Sequence, residues 1–294
     1  MKIEFKHKSF KLDKEKNKEL YFNLSYQIKS DKEKRLRIKT ADEIILPNKN
    51  KHIDYILTRK NDVTKVLIYI AKKINYWENI TIFGNRFKDN EKLLKFKNIQ
   101  VIAPEKGNLS NASYNLIRNH AKIYIINNYV IFGSANVSPA NSDIEQYIIF
   151  NNKIFANFLN KEITKQLTYN KYKIILSHKI SYPKTGFVNF TLINRGYSSK
   201  DILLDLNKHD NLEVTSFGIT KKDIDYLTRL KAKFILTNTL KYFNKEAYIK
   251  LYKYENKEYL RLHNKEVFVN NLHIITSNNF SSKDNTDYTL IENI

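Results

Sequence analysis

Four polar residues occur twice in this chain at the same spacing. In "HAKIYIINNYVIFGSANVS" (residues 120–138) they are His120, Lys122, Ser134 and Asn136; in "HNKEVFVNNLHIITSNNFS" (263–281) they are His263, Lys265, Ser277 and Asn279. The windows align without a gap at an offset of 143, with eight of nineteen positions identical, where average composition yields about one or two. The chain has only 7 histidines, so two in one slot outweigh shared Asn or Ile. An imidazole with a pKa near ~6.5 serves as nucleophile or proton donor. A lysine, a hydroxyl and an amide beside it supply the charged and neutral donors that hold a phosphate.

These residues bracket an apolar hairpin. "IYII" and "YVIF" flank Asn127 and Asn128, and asparagine tolerates the left-handed backbone of a two-residue turn. His120 and Lys122 stand two apart and share a strand face, as do His263 and Lys265. Strict pairing puts position 133 opposite 122 and turns Ser134 away from His120, so a bend at Gly133 is expected to bring Ser134 and Asn136 to the imidazole. Thr276 occupies the glycine slot in the second copy.

Each window follows a similar context. "HIDYIL", "DVTKVLIYIAKKI" and "NITIFG" precede the first; "FVNFTLIN", "SSKDILLDLNKH" and "LEVTSFG" precede the second. Both read as strand, helix, strand, so each half is expected to be one α/β lobe with a mixed or parallel sheet covered by helices. The join is placed in the polar stretch between Phe158 and "FVNFTLIN", with "SYPKTG" (181–186) as its clearest turn, giving units 1–165 and 166–294. Residues 1–50 read as an N-terminal extension or first strands.

Composition narrows the partners. The 294 residues carry 51 Lys+Arg against 30 Asp+Glu, a net +21, which favours polyphosphate surfaces such as nucleic acid or anionic lipid. The runs "KLDKEKNKEL" and "KSDKEKRLRIK" contribute collectively and in a salt-dependent way. With no cysteine, disulfides and thiolate metal sites are excluded. No apolar run reaches the ~20 residues of a membrane span, and the N-terminus lacks a signal-peptide core, so a cytoplasmic location is expected.

The pattern His-x-Lys-x4-Asn, followed by Gly-Ser-x-Asn, resembles the signature of the phospholipase D superfamily, which includes nucleases and phospholipid-processing enzymes. The resemblance implies two α/β lobes, each a mixed sheet flanked by helices, related by a pseudo-twofold axis around one active site. It implies no metal and no cofactor, one histidine attacking phosphorus to give a phosphohistidine, and the other protonating the leaving oxygen; which one attacks is left open. Carried over residue by residue, it makes His120, Lys122, Asn136, His263, Lys265 and Asn279 catalytic, with Ser134 and Ser277 supporting. Glu145 and Asp287 stand where an acid commonly orients the histidine. Asn127 and Asn270 occupy positions that are usually Asp in the family. The function expected is a metal-independent nuclease acting on DNA or RNA, with a phospholipid phosphodiesterase or transphosphatidylase, or a non-catalytic nucleic-acid-binding protein, as alternatives. A monomer suffices for one site, and a homo-oligomer remains open.

Overall fold

In a computed structural model of the chain, the residues described are 38–39, 46–47, 51–59, 63–88, 90–117, 119–137, 144–168, 175–182, 186–194, 198–237, 249–250, 263, 265–281 and 286–293. The basic runs of the first 37 residues, the bulk of the expected N-terminal extension and the centre of the "SYPKTG" turn lie outside them.

The described strands form two eight-stranded sheets. The first contains β1 (Ile38–Lys39), β2 (Lys51–Arg59), β3 (Asn79–Phe83), β4 (Asn98–Ala103), β5 (Ala112–Leu116), β6 (Ile123–Ile126), β7 (Tyr129–Gly133) and β8 (Ile144–Asn151). Its order is β1-β2-β8-β7-β6-β3-β4-β5. The second contains β9 (Ile175–Tyr182), β10 (Gly186–Asn194), β11 (Glu213–Ser216), β12 (Phe234–Thr237), β13 (Ile249–Lys250), β14 (Glu266–Val269), β15 (Leu272–Thr276) and β16 (Thr286–Asn293). From the matching edge it runs β9-β10-β16-β15-β14-β11-β12-β13, which corresponds to the first strand for strand. The pairings are mixed: β3-β4-β5 and β11-β12-β13 are parallel, whereas the hairpins β6-β7 and β14-β15 and the strands beyond them are antiparallel. The outermost pairs differ, β1-β2 being parallel and β9-β10 antiparallel.

Strand periodicity sorts the side chains. Along β6, Tyr124 and Ile126 join a core with Val66, Leu67 and Ile70 of helix α1 (Val63–Ile74), while Ile123 and Ile125 join a second core on the other face. Both faces are buried, which is why this hairpin reads as unbroken apolar runs. The second core combines Phe132, Ile148 and Phe150 of the first sheet, Phe155, Ala156 and Leu159 of helix α2 (Lys153–Thr168), and Ile275, Tyr288 and Leu290 of the second sheet. The sheets therefore share an interior, with the Phe132 and Tyr288 rings 4.9 Å apart. A third core packs the outer face of the second sheet against helices α3 (Ser199–Leu204) and α4 (Lys221–Arg229).

The boundary expected at 165/166 falls inside α2, whose first half builds the shared core. The polar stretch after Phe158 continues as helix to Thr168, and the described ends of "SYPKTG" are the last residues of β9 and the first of β10. Among the described residues no helix is long and apolar enough to cross a membrane.

Candidate active site

The two motif hairpins deliver their polar residues to one place. His120 and Lys122 precede β6, and His263 and Lys265 precede β14. Lys122 is fully buried and Lys265 is 2% exposed. Each ammonium donates to the carbonyl oxygen of the histidine two residues back, at 2.5 Å in both cases. The charge of Lys265 reaches Lys122. Burial and then the charge of Lys265 push Lys122 down to about 7, while Asp287 and Glu145 oppose the shift. Two buried cations sharing a pocket disfavour each other's charge until an anion arrives.

The carboxylates cross over. His120 Nδ1–H donates to Asp287 Oδ1 of the second sheet at 2.9 Å, and His263 Nδ1–H donates to Glu145 Oε2 of the first at 2.8 Å. Each acid, itself almost wholly buried, fixes the proton of the opposite imidazole on Nδ1 and leaves Nε2 as the atom with a lone pair. Burial, followed by the charge of Lys122, holds the His120 imidazole down to about 4 despite Asp287. Burial and Lys265 likewise lower His263, against Glu145.

Ser134 and Ser277 act on the acids rather than on the imidazoles. Ser134 Oγ accepts the Gln146 N–H at 2.8 Å and donates to Glu145 Oε2; Ser277 Oγ accepts the Tyr288 N–H at 3.0 Å and donates to Asp287 Oδ1 at 2.8 Å. This corrects the expectation that a bend at Gly133 turns Ser134 toward His120. The β7-β8 register continues through Gly133, opposite Tyr147, and the Gly133 N–H reaches the Lys122 carbonyl at 2.9 Å. Glycine suits this position for another reason: a Cβ would crowd the Tyr147 ring, 3.0 Å from Cε1. In the second sheet the same cross-strand pair is Thr276 and Thr289, so one intermediate pair replaces a small and a large residue.

The chain bends at Ser134 and again at Ser277; Asn136 and Asn279 follow these two bends, and each has a buried Oδ1 with no hydrogen-bond partner among the described residues, as does Asp287 Oδ2. Asn127 and Asn270 are not in this cluster. They occupy the hairpin turns with φ of 54° and 55°, and four strand residues separate each from its lysine, about 16 Å of chain. Asn270 instead pins the loop before β11, accepting from Asp210 N at 2.8 Å and donating to Lys208 O at 3.0 Å. Left-handed backbone explains asparagine at both positions.

Two residues escaped the sequence reading. Gln146 and Tyr288 each follow one of the acids and reach the other sheet. Gln146 Oε1 accepts from Lys265 N at 3.0 Å, and Tyr288 Oη donates to Gly133 O at 3.0 Å. A polar Gln146 ahead of the apolar run "YIIF" was the available signal.

No family model matches the chain, and no curated protein sequence matches it. Similar solved structures include phosphatidylserine synthase from Haemophilus influenzae Rd KW20, with a TM-score of 0.51, 11% identity, and 92% of this chain and 87% of that one covered. Polyphosphate kinase from Porphyromonas gingivalis gives a TM-score of 0.47 and 12% identity over 82% of this chain, which spans less than half, 47%, of the kinase. NucT from Helicobacter pylori gives 0.31 and 14% identity, with 41% of this chain and 98% of that one covered. The paired mixed sheets and the near end-to-end overlap show that this chain shares the fold of the phosphatidylserine synthase.

Proposed function

We propose that the chain is a metal-independent phosphodiesterase that cleaves nucleic acid through a phosphohistidine. The observation that carries this reading is the exchange of carboxylates, in which each sheet's histidine is oriented by the other sheet's acid. Such an exchange supports a single site shared by both imidazoles, with each Nε2 left to substrate.

In the first step Nε2 of one neutral imidazole attacks phosphorus, forming the N–P bond as the P–O bond to the leaving group breaks; the other imidazole, protonated, gives that oxygen its proton. In the second step the now neutral partner takes a proton from water, whose oxygen displaces the histidine and restores the starting charges. The lowered resting pKa of His120 and His263 keeps a nucleophile available. Entry of a phosphate anion reverses the Coulomb balance set by Lys122 and Lys265, raising the imidazole that must act as acid. Lys122, Lys265, Asn136 and Asn279 neutralise and orient the non-bridging oxygens. The net charge of +21 favours nucleic acid as the source of that phosphate.

Likeness in fold to a phosphatidylserine synthase supports a second reading, transfer or hydrolysis at a phospholipid phosphodiester. Labelled single- and double-stranded DNA, RNA and phosphatidyl vesicles, each incubated with the protein in EDTA, separate the readings. Nucleic-acid cleavage lost in both His120→Ala and His263→Ala, with unchanged thermal unfolding, is the expected result. Headgroup release supports the second reading, and binding without turnover supports a phosphate-binding protein. A wild-type rate in either histidine variant overturns the shared site.

A further inference from the structure

The two halves of the site are matched in their interior but not at their rim. After β3 the chain runs along the bend that carries Asn136: Phe87 bridges to Val137 in parallel, and Lys88 N–H reaches Val137 O at 2.7 Å. After β11 the chain also passes beside Asn279, where Phe280 N–H reaches Ser216 Oγ at 3.1 Å. Pairing of β3 with β6 and of β11 with β14 sets Ile82 opposite Tyr124 and Val214 opposite Val267, so residue 86 of the first half corresponds to residue 218 of the second. These are Arg86 and Gly218. A Cβ on Gly218 would sit 3.5 Å from Asn279 Nδ2, which places this slot directly beside the motif asparagine.

Arg86 is exposed, and its charge is among those felt by Lys122. A cation also stands by the second bend, but it is neutralised: Lys200 Nζ donates at 3.0 Å to Asp223, which also accepts from Ser281 Oγ at 2.7 Å. Beside Gly218 the second half presents Phe217, edge-on to the His263 ring at 5.3 Å. One side of the site thus offers a solvent-facing guanidinium and the other an aromatic ring. A guanidinium at a rim is matched to a phosphate.

We propose that Arg86 binds a second phosphate of a polynucleotide, next to the one being cleaved and on one side of it only, so that the strand enters the site with a defined polarity. The proposal rests on the nuclease reading and adds to it the direction of the strand. Its consequence is that the charge of one neighbouring linkage matters and the charge of the other does not.

The test uses tetrathymidylate in which the linkage on one or the other side of the central phosphodiester is a neutral methylphosphonate, with central cleavage followed by chromatography. In the wild-type protein one of the two replacements is expected to lower kcat/KM about tenfold and the other less than twofold. Arg86→Gly is expected to abolish that difference and Arg86→Lys to retain part of it. In Arg86→Gly/Gly218→Arg the sensitivity should move to the opposite linkage. Equal sensitivity to both replacements in the wild type, or a one-sided loss that persists in Arg86→Gly, overturns the proposal. Absence of any oligonucleotide cleavage by wild-type protein that turns over phosphatidyl vesicles overturns the nuclease reading and this inference with it, an outcome distinct from failure of Arg86 alone.

Discussion

Replacing Asp287 by asparagine tests the carboxylate exchange directly, because it removes one charge and little volume. The bond it alters is the 2.9 Å contact to His120 Nδ1. With charge centres about 4 Å apart and an effective dielectric near 20, an imidazolium–carboxylate pair is worth about 4 kcal/mol. At about 1.4 kcal/mol per factor of ten, its loss lowers kcat/KM roughly 10³-fold wherever His120 carries positive charge in the rate-limiting step. Folding should survive, since an amide oxygen at the Oδ1 position still accepts from Ser277 Oγ and His120 Nδ1–H. The assay is hydrolysis of bis(4-nitrophenyl) phosphate in EDTA, paired with ¹⁵N spectra of the histidine rings and with thermal unfolding. The His120 ring signals should move and those of His263 should stay, because Glu145 still holds the latter. A rate within threefold of wild type, or a shift at His263 in place of His120, refutes the exchange.

Three further outcomes follow from the same geometry. His120 binds a proton near pH 6.5 when unfolded but only near pH 4 when folded; the unfolded state therefore holds more protons between these values, and stability is full above about 6.5 and falls by about 3 kcal/mol as pH drops to about 4. Urea titrations should show that fall, and His120→Gln should remove most of it. Because Lys122 rests at about 7, tungstate or phosphate binding above neutral pH should draw in a proton, read by calorimetry in buffers of different ionisation enthalpy, and Lys122→Met should weaken that binding about 10- to 100-fold. Gly133→Ala puts a methyl 3.0 Å from the Tyr147 ring and should cost about 1–3 kcal/mol in urea unfolding, whereas Gly133→Thr/Tyr147→Thr, which copies Thr276 and Thr289, should recover part of the loss.

The duplication was legible because it is local. His120, Lys122, Ser134 and Asn136 lie within one hairpin, and strand periodicity with an Asn-Asn turn suffices to put them at its open end; the copy at 263–279 repeats this arrangement. The strand-helix-strand context was legible for the same reason, since apolar spacing reports which face of an element is buried. The sequence by itself therefore determined the two hairpins, the α/β character of the halves and the residue types available to a phosphate.

What only the tertiary structure decided depends on separations of more than a hundred residues. That Asp287 serves His120 and Glu145 serves His263, 167 and 118 residues away, follows from how two sheets pack through Phe132, Tyr288 and the first half of α2, and no short-range pattern encodes a packing partner. Ser134 and Ser277 proved to steady the acids, a role invisible until the acids had neighbours. Gly133 proved to be spared a side chain because of a ring across the strand pair, not because of its own backbone. Asn127 and Asn270, equal to the others as letters in the repeat, stand at the far ends of the hairpins, since a strand carries its turn away from its base by about 3.3 Å per residue.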